Sequence, residues 1–456
     1  MTTSSVDFVD PREPWATYGV SPQSLLEVTL ASIFHPGITE VHSDGDRSVR
    51  RYGLLLPDAA YWVDSVRSLL VALTVGVALS ALLYGLVVRG RRQRQGGGLT
   101  RGSGARAPAP PPPTVVSILT GWGLAVPLCV LFPYHHVSHA SISNAAVRFN
   151  VSLPFVLFLF RTLEAVHGQT PEWASRDWPS FALYFVPPVE WDLDAVTGRP
   201  TRMGPEYGAS IKRGAASLMK HMCLMSALMS ILSPHGYEPF SSNAGDFDEP
   251  IVMSEYFNPR HLANCAAVAM LFQLSLSTGM GAAGISAEAM TGLRTVPIMR
   301  NPLLGATSVI DFWSHRWNML VHRVLKGGVY KPVRHLSNSA LIATLASFVA
   351  SGLFHEWLVH LALIYETHRG ERGAAQTVRL GSNTAFFVWN AVTMATEKIL
   401  GGSKAMRTLS RSLPGWMVTF LIVMTSLPIA HWFGNPYVKS GFFFEYQIGF
   451  PLVVKL

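Results

Sequence analysis

Long apolar runs separated by short polar stretches dominate the chain. Runs long enough to cross a hydrocarbon core, which takes about 20 helical residues, fall near 68–88, 114–133, 261–286, 338–363, 382–400 and 413–433. Two less apolar runs, 148–166 and 214–233, have spanning length, and Lys220 and His221 in the second predict packing inside a bundle or partly at an interface. Loop charge tests this series, because basic residues collect on the cytosolic side. Arg89, Arg91, Arg92, Arg94, Arg101 and Arg106 follow the first run without an acid, whereas Asp246, Asp248, Glu249 and Glu255 outweigh Arg260 in loop 234–260. Loop 287–337 turns basic again through Arg294, Arg300, Arg316, Arg323, Lys326, Lys331 and Arg334, as does 401–412 through Lys404, Arg407 and Arg411. The alternation predicts an all-α, polytopic membrane helical bundle of about eight transmembrane helices.

The expected organisation is a lumenal N-terminal segment (1–67), a first transmembrane helix (68–88), a cytosolic Arg/Gly/Pro-rich linker (89–113) and a bundle over 114–456. With 49% hydrophobic and 14% charged residues, the chain is too apolar for an ordinary soluble enzyme. The formal charge of +8 resides in loops, where membrane orientation accounts for it, so no nucleic-acid partner is expected. The first twenty residues carry neither a basic nor an apolar signal-peptide region, which leaves the first transmembrane helix to direct insertion. Cys129, Cys223 and Cys265 are scattered in or beside apolar runs, without zinc or disulfide spacing, and read as packing residues.

Two familiar motifs fail on context. Gly279-Met-Gly-Ala-Ala-Gly284 matches GxGxxG but ends an apolar run with no strand before it, so close helix packing is the simpler expectation. His355-Glu-Trp-Leu-Val-His360 spaces its histidines five apart. That puts them about 140° around a helix, where one zinc ion would not take both, and no metal is expected. Glu356 and His360, four apart on another face, could pair with each other or lie near the lumenal end. Paired aspartates that would hold a magnesium diphosphate do not occur in the cytosolic loops.

Two neighbouring segments carry the chemistry. On a helix over 338–363, Thr344, Ser347, Ser351 and His355 fall within about 80° of one another, a weakly polar stripe ending in a histidine. Ionisable groups inside a membrane are costly and usually line a cavity or pathway. Before it, Ser308 and Asp311 fit a capping box. An amphipathic interfacial helix near 309–325 would then carry Asp311, His315, Asn318 and His322 on one stripe, Trp313, Trp317, Leu320 and Val324 on a second, and Arg316 with Arg323 on a third.

Thr307-Ser308-x-x-Asp311-Phe312-Trp313-x-x-Arg316-Trp317-Asn318, then Val329-Tyr330-x-Pro332, then Ser351-Gly352-Leu353-x-His355-Glu356 resemble the membrane-bound O-acyltransferase superfamily, wax synthase branch. The resemblance covers roughly 300–360 and departs at Ser314 and His315, where many relatives carry a glycine and a basic residue. It implies acyl transfer from acyl-CoA, as co-substrate and without a further cofactor, to the hydroxyl of a lipophilic alcohol. The alcohol would be a fatty alcohol or a terpenoid-type metabolite, and the acyl group fatty or acetyl. It implies His355 as the catalytic base and Asn318 in the reaction centre, with Asp311, Trp313, Trp317 and Ser351 in supporting positions. Arg316 and Arg323 would meet the CoA phosphates, and the protein would reside in the endoplasmic reticulum with membrane lipid around it. The competing expectation is a transporter or channel with His355 lining the path; paired, repeated halves would favour it, and the sequence holds none.

Overall fold

The computed structural model describes residues 52–94, 112–240, 254–365, 379–400 and 412–455. Most of the N-terminal segment, the linker over 95–111, and parts of the loops 234–260 and 401–412 lie outside them, and with them the loop charges just named there. Among the described residues six helices are long and apolar enough to cross a membrane: α1 (Ala59–Arg94), α2 (Val115–His139), α3 (Ala145–Val166), α4 (Tyr207–His235), α5 (Pro259–Thr291) and α6 (Ala340–Ile364). A seventh span results if Gly415–Ile429 and His431–Lys439, bent by 52°, count as one. The chain is thus a polytopic helical membrane protein, with six or seven spans among the described residues where about eight were expected. The expected span at 382–400 forms helix α7 (Ser382–Leu400), which carries Asn383, Asn390, Glu397 and Lys398 and is less apolar than the six.

The two less apolar runs turn out differently. α3 is the most enclosed span, at the centre of the bundle. The polar residues that lower its hydropathy tie loops to the core: Arg148 Nε donates to the Ala362 carbonyl at 2.9 Å, and Arg161 Nη1 to the carbonyls of Phe185 and Pro187 at 2.9 and 3.0 Å. Buried charge is tolerated there because carbonyls satisfy it. α4 instead has Lys220 exposed, so of the two alternatives expected for this run it does not pack inside the bundle. It leans on α5, where a Cβ at Gly214 would come within 2.9 Å of Ile285.

The first helix starts at Ala59, capped by Asp58, whose carboxylate accepts from Ala60 N at 2.8 Å. The C-terminal segment forms a buried helix, Phe442–Gln447, and then strand β2 (Leu452–Lys455). β2 pairs antiparallel with β1 (Tyr52–Leu55), Tyr52 opposite Lys455. This small sheet was not expected in an all-α chain. Gly279, Gly281 and Gly284 sit inside the unbroken helix α5, which removes the nucleotide reading. The packing reading fails at two of them as well, since a Cβ at Gly279 or Gly281 would meet nothing within 4 Å.

Candidate active site

A cavity of about 1030 Å³ opens among α1, α3, α5, α6 and the segment 303–330. The whole expected stripe of α6, Thr344, Ser347, Ser351 and His355, lines it. Lining from the preceding segment comes from Trp313, His315, Trp317, Asn318, His322, Lys326 and Tyr330. Most of the remaining wall is apolar, as a site for lipophilic molecules requires.

His355 is held on three sides by rings. Phe354 lies 4.1 Å away between centroids, Phe387 stacks at 4.6 Å and 25°, and Phe433 meets it edge-on at 5.2 Å. Its Nδ1 lies 2.7 Å from the Ser351 carbonyl. A carbonyl only accepts, so Nδ1 carries the proton of the neutral ring and Nε2 keeps a bare lone pair.

The interfacial helix near 309–325 is not continuous. Val309–Asp311 and a wider turn over Phe312–Arg316 end at Trp317, whose backbone is extended (φ −86°, ψ 119°). Asn318 takes the left-handed conformation (φ 41°), and a new helix, α-like over Met319–Leu325, starts from it. Asparagine suits this break because it tolerates left-handed backbone and caps the next helix, here by accepting from Val321 N at 3.3 Å through Oδ1. Its Nδ2 hydrogens are left for the cavity. The four-residue polar stripe assumed an unbroken helix; the break keeps His315, Asn318 and His322 on the cavity wall and drops Asp311 from it.

Asp311 is a helix-start residue. Its amide donates to Ser308 Oγ at 2.8 Å, and its Oδ2 accepts from Thr307 N and Oγ1 at 3.0 Å each. Burial opposes its ionisation, but these bonds and Arg316 outweigh burial and hold the carboxyl below the usual range. Arg316, expected on another face, donates through Nε to Asp311 Oδ2 at 2.5 Å. Arg323 pairs with Glu190, whose carboxyl burial pushes up although Arg323 opposes the shift. Neither arginine lines the cavity; both already hold carboxylates, and Lys326 is the cation on its wall. His322, also on the wall, is pushed down to about 4 by burial and then by Lys326, His315 and Arg323, so it stays neutral at ordinary pH.

Sequence reasoning missed the support behind the tryptophans. Trp313 Nε1 donates to Asn390 Oδ1 at 3.2 Å, and Ser426 Oγ donates to the same oxygen. Glu397 accepts from Val309 N at 3.1 Å and Ile310 N at 2.7 Å, capping the helix start from a distance. A signal existed: Asn383, Asn390 and Glu397 recur every seven residues, one face of α7. Trp317 stacks on Phe312 at 5.6 Å. Glu356 and His360 do not pair with each other; Glu356 Oε1 accepts from Thr384 N at 3.0 Å, and His360 Nδ1 bonds the Tyr134 hydroxyl at 2.9 Å. Cys265 is buried, as a packing residue would be, and its neighbours in the interior include His261 and His431.

Residues 296–389, the stretch holding the break at Asn318, the α6 stripe and the Phe387 stack, match the membrane bound O-acyl transferase family. Over this stretch the chain is similar to that family. A probable long-chain-alcohol O-fatty-acyltransferase of Arabidopsis thaliana is 38% identical over 108 residues, 22% of this chain and 28% of that protein. The long-chain-alcohol O-fatty-acyltransferase of Simmondsia chinensis is 28% identical over 162 residues, 34% of this chain and 42% of that one. An acyl-CoA–sterol O-acyltransferase of Arabidopsis thaliana is 35% identical over 96 residues, 20% of this chain and 27% of that one. The chain covers less than half the length of each of these relatives.

Proposed function

We propose that the protein is an acyl-CoA-dependent O-acyltransferase that esterifies the hydroxyl of a lipophilic acceptor, and that His355 is its base. The observation that carries this reading is the fixed tautomer of His355 on the wall of a large, mainly apolar cavity. An alcohol is a poor nucleophile at neutral pH until a positioned base accepts its proton. His355 Nε2 takes that proton as the alcohol oxygen attacks the thioester carbonyl. The Nδ2 hydrogens of Asn318 stabilise the oxyanion of the tetrahedral intermediate. Collapse breaks the C–S bond, and the imidazolium returns the proton to the departing thiolate, giving ester and free CoA. No covalent enzyme intermediate is needed. Lys326, rather than the engaged Arg316 and Arg323, attracts the CoA phosphates at the start of the reaction.

The cavity stands at the upper end of the roughly 300–1,000 Å³ that holds drug-sized ligands, which suits a bulky acceptor such as a fatty alcohol or a terpenoid-type ring system. The relatives named for long-chain alcohols favour a fatty acyl donor; acetyl-CoA is the arm that tests chain length. Multi-pass family members of this chemistry act where lipophilic acceptors dissolve, and residence in the endoplasmic reticulum follows from this reading. Membranes holding the wild type or His355→Ala are incubated with labelled palmitoyl-CoA or acetyl-CoA and an alcohol panel. Ester formation by the wild type and its loss in the variant are expected; equal rates at matched protein level would reject the assignment.

A further inference from the structure

His261 and Cys265 lie four residues apart on α5, so their side chains leave the same helix face. The bend in the C-terminal span brings His431 against them, and one ligating atom from each residue lies within 4.8 Å of the other two. All three are enclosed, with 3%, 5% and 5% of their surface exposed. The two imidazole rings meet at 4.7 Å and 74°.

The hydrogen bonds fix which atoms face inward. The Pro428 carbonyl accepts from His261 Nε2 at 2.9 Å and from His431 Nδ1 at 3.2 Å. One backbone oxygen thereby orients both rings and leaves lone pairs on His261 Nδ1 and His431 Nε2. His431 Nε2 is fully enclosed and meets no hydrogen-bonding partner among the described residues. An enclosed polar atom without a partner costs about 1–3 kcal/mol. Histidines that bind metals commonly give their other ring N–H to a backbone carbonyl, the arrangement found here twice. Cys265 Sγ lies 3.5 Å from His261 Nε2 and 4.0 Å from its Nδ1, the latter within about half an ångström of the N to S separation across a tetrahedral zinc ion with bonds of about 2.0 and 2.3 Å.

We propose that His261, Cys265 and His431 bind one zinc-class divalent ion through His261 Nδ1, Cys265 Sγ and His431 Nε2. Two imidazoles and a thiolate select zinc over the hard cations calcium and magnesium. Binding releases the thiol proton of Cys265 to solvent, so uptake is proton-coupled. Cys265 also lines the reaction cavity. The ion joins α5 to the last bent helix, and that helix carries Phe433, the edge-on neighbour of His355. The site thus clamps one wall of the reaction cavity and stands whether or not the acyl-transfer reading holds.

The test uses the full chain purified in detergent, its zinc content measured by mass spectrometry, then stripped with a chelator and titrated with Co²⁺. One equivalent of zinc is expected, and on titration a thiolate-to-cobalt charge-transfer band with the intense visible bands of a tetrahedral ion. Cys265→Ser should abolish the charge-transfer band, and His431→Gln should weaken Co²⁺ binding by at least about 10-fold. Cys129→Ser and Cys223→Ser should leave both unchanged. A wild type that neither holds zinc nor develops the band overturns the proposal, even if the ligand variants do not fold. So does a band that survives Cys265→Ser.

Discussion

Gly352→Ala tests how tightly the helix carrying His355 is set. A Cβ at Gly352 would stand 2.6 Å from Thr384 Cα, 2.9 Å from its Oγ1 and 3.0 Å from its Cβ. Ordinary contact begins near 3.4 Å, and the nearest atom is backbone that cannot rotate aside. α6 and α7 must therefore part by about 1 Å, a strain of about 1–3 kcal/mol for an overpacked interface. Alanine recovers up to about 1 kcal/mol of helix propensity, so the net loss of stability is modest, about 0–2 kcal/mol. The effect on rate is larger. Gly352 lies one turn before His355, and Phe387, which stacks on His355, lies one turn after Thr384. Parting the helices separates base from stacking partner, and a 1 Å misplacement of reacting groups costs about 100-fold. The assay compares initial rates of ester formation with apparent Tm in detergent, with Leu353→Ala, whose side chain is exposed, as control. A Gly352→Ala protein with wild-type rate, or one whose rate falls only in proportion to folded protein, would refute the reasoning.

Asn390→Leu removes the acceptor shared by Trp313 Nε1 and Ser426 Oγ in a fully enclosed place; a stability loss of about 2–3 kcal/mol is expected from two stranded donors, read as a lowered Tm, and an unchanged Tm would count against this network. Lys326→Ala should raise KM for acyl-CoA several-fold with kcat nearly constant, as loss of uniform binding predicts, whereas a fall in kcat alone would move the phosphate contact elsewhere. His322 supplies a pH dependence. Its pKa is about 4 in the fold against an ordinary 6.5, so below pH 6.5 the unfolded chain binds more protons and stability drops as pH falls toward 4. The drop is at most about 3 kcal/mol at 1.4 kcal/mol per unit. His322→Gln should flatten the Tm-against-pH curve between pH 7 and 5, and an unchanged slope would remove His322 as its source.

By itself the sequence determined what depends on neighbours in the chain. Helical periodicity put Thr344, Ser347, Ser351 and His355 on one face, and all four line the cavity. The Ser308 cap was legible because it closes within one turn, and the apolar runs were legible because spanning a membrane needs only length and composition. Tertiary structure decided the rest, because those outcomes rest on partners far along the chain. Composition ranked 148–166 low, yet its arginines find carbonyls far along the chain, at Ala362 and Phe185, and it becomes the most enclosed span. The polar stripe across 309–325 assumed one helix, but the Arg300–Arg316 backbone bond at 3.0 Å and the Met319–Ile298 bond at 3.0 Å hold the chain on both sides of the break at Asn318. Arg316 and Arg323 looked free for a ligand because a sequence does not disclose that Asp311 and Glu190 fold against them. Likewise, no spacing along the chain joins His261 and Cys265 to His431; only the bend between Gly415–Ile429 and His431–Lys439 does.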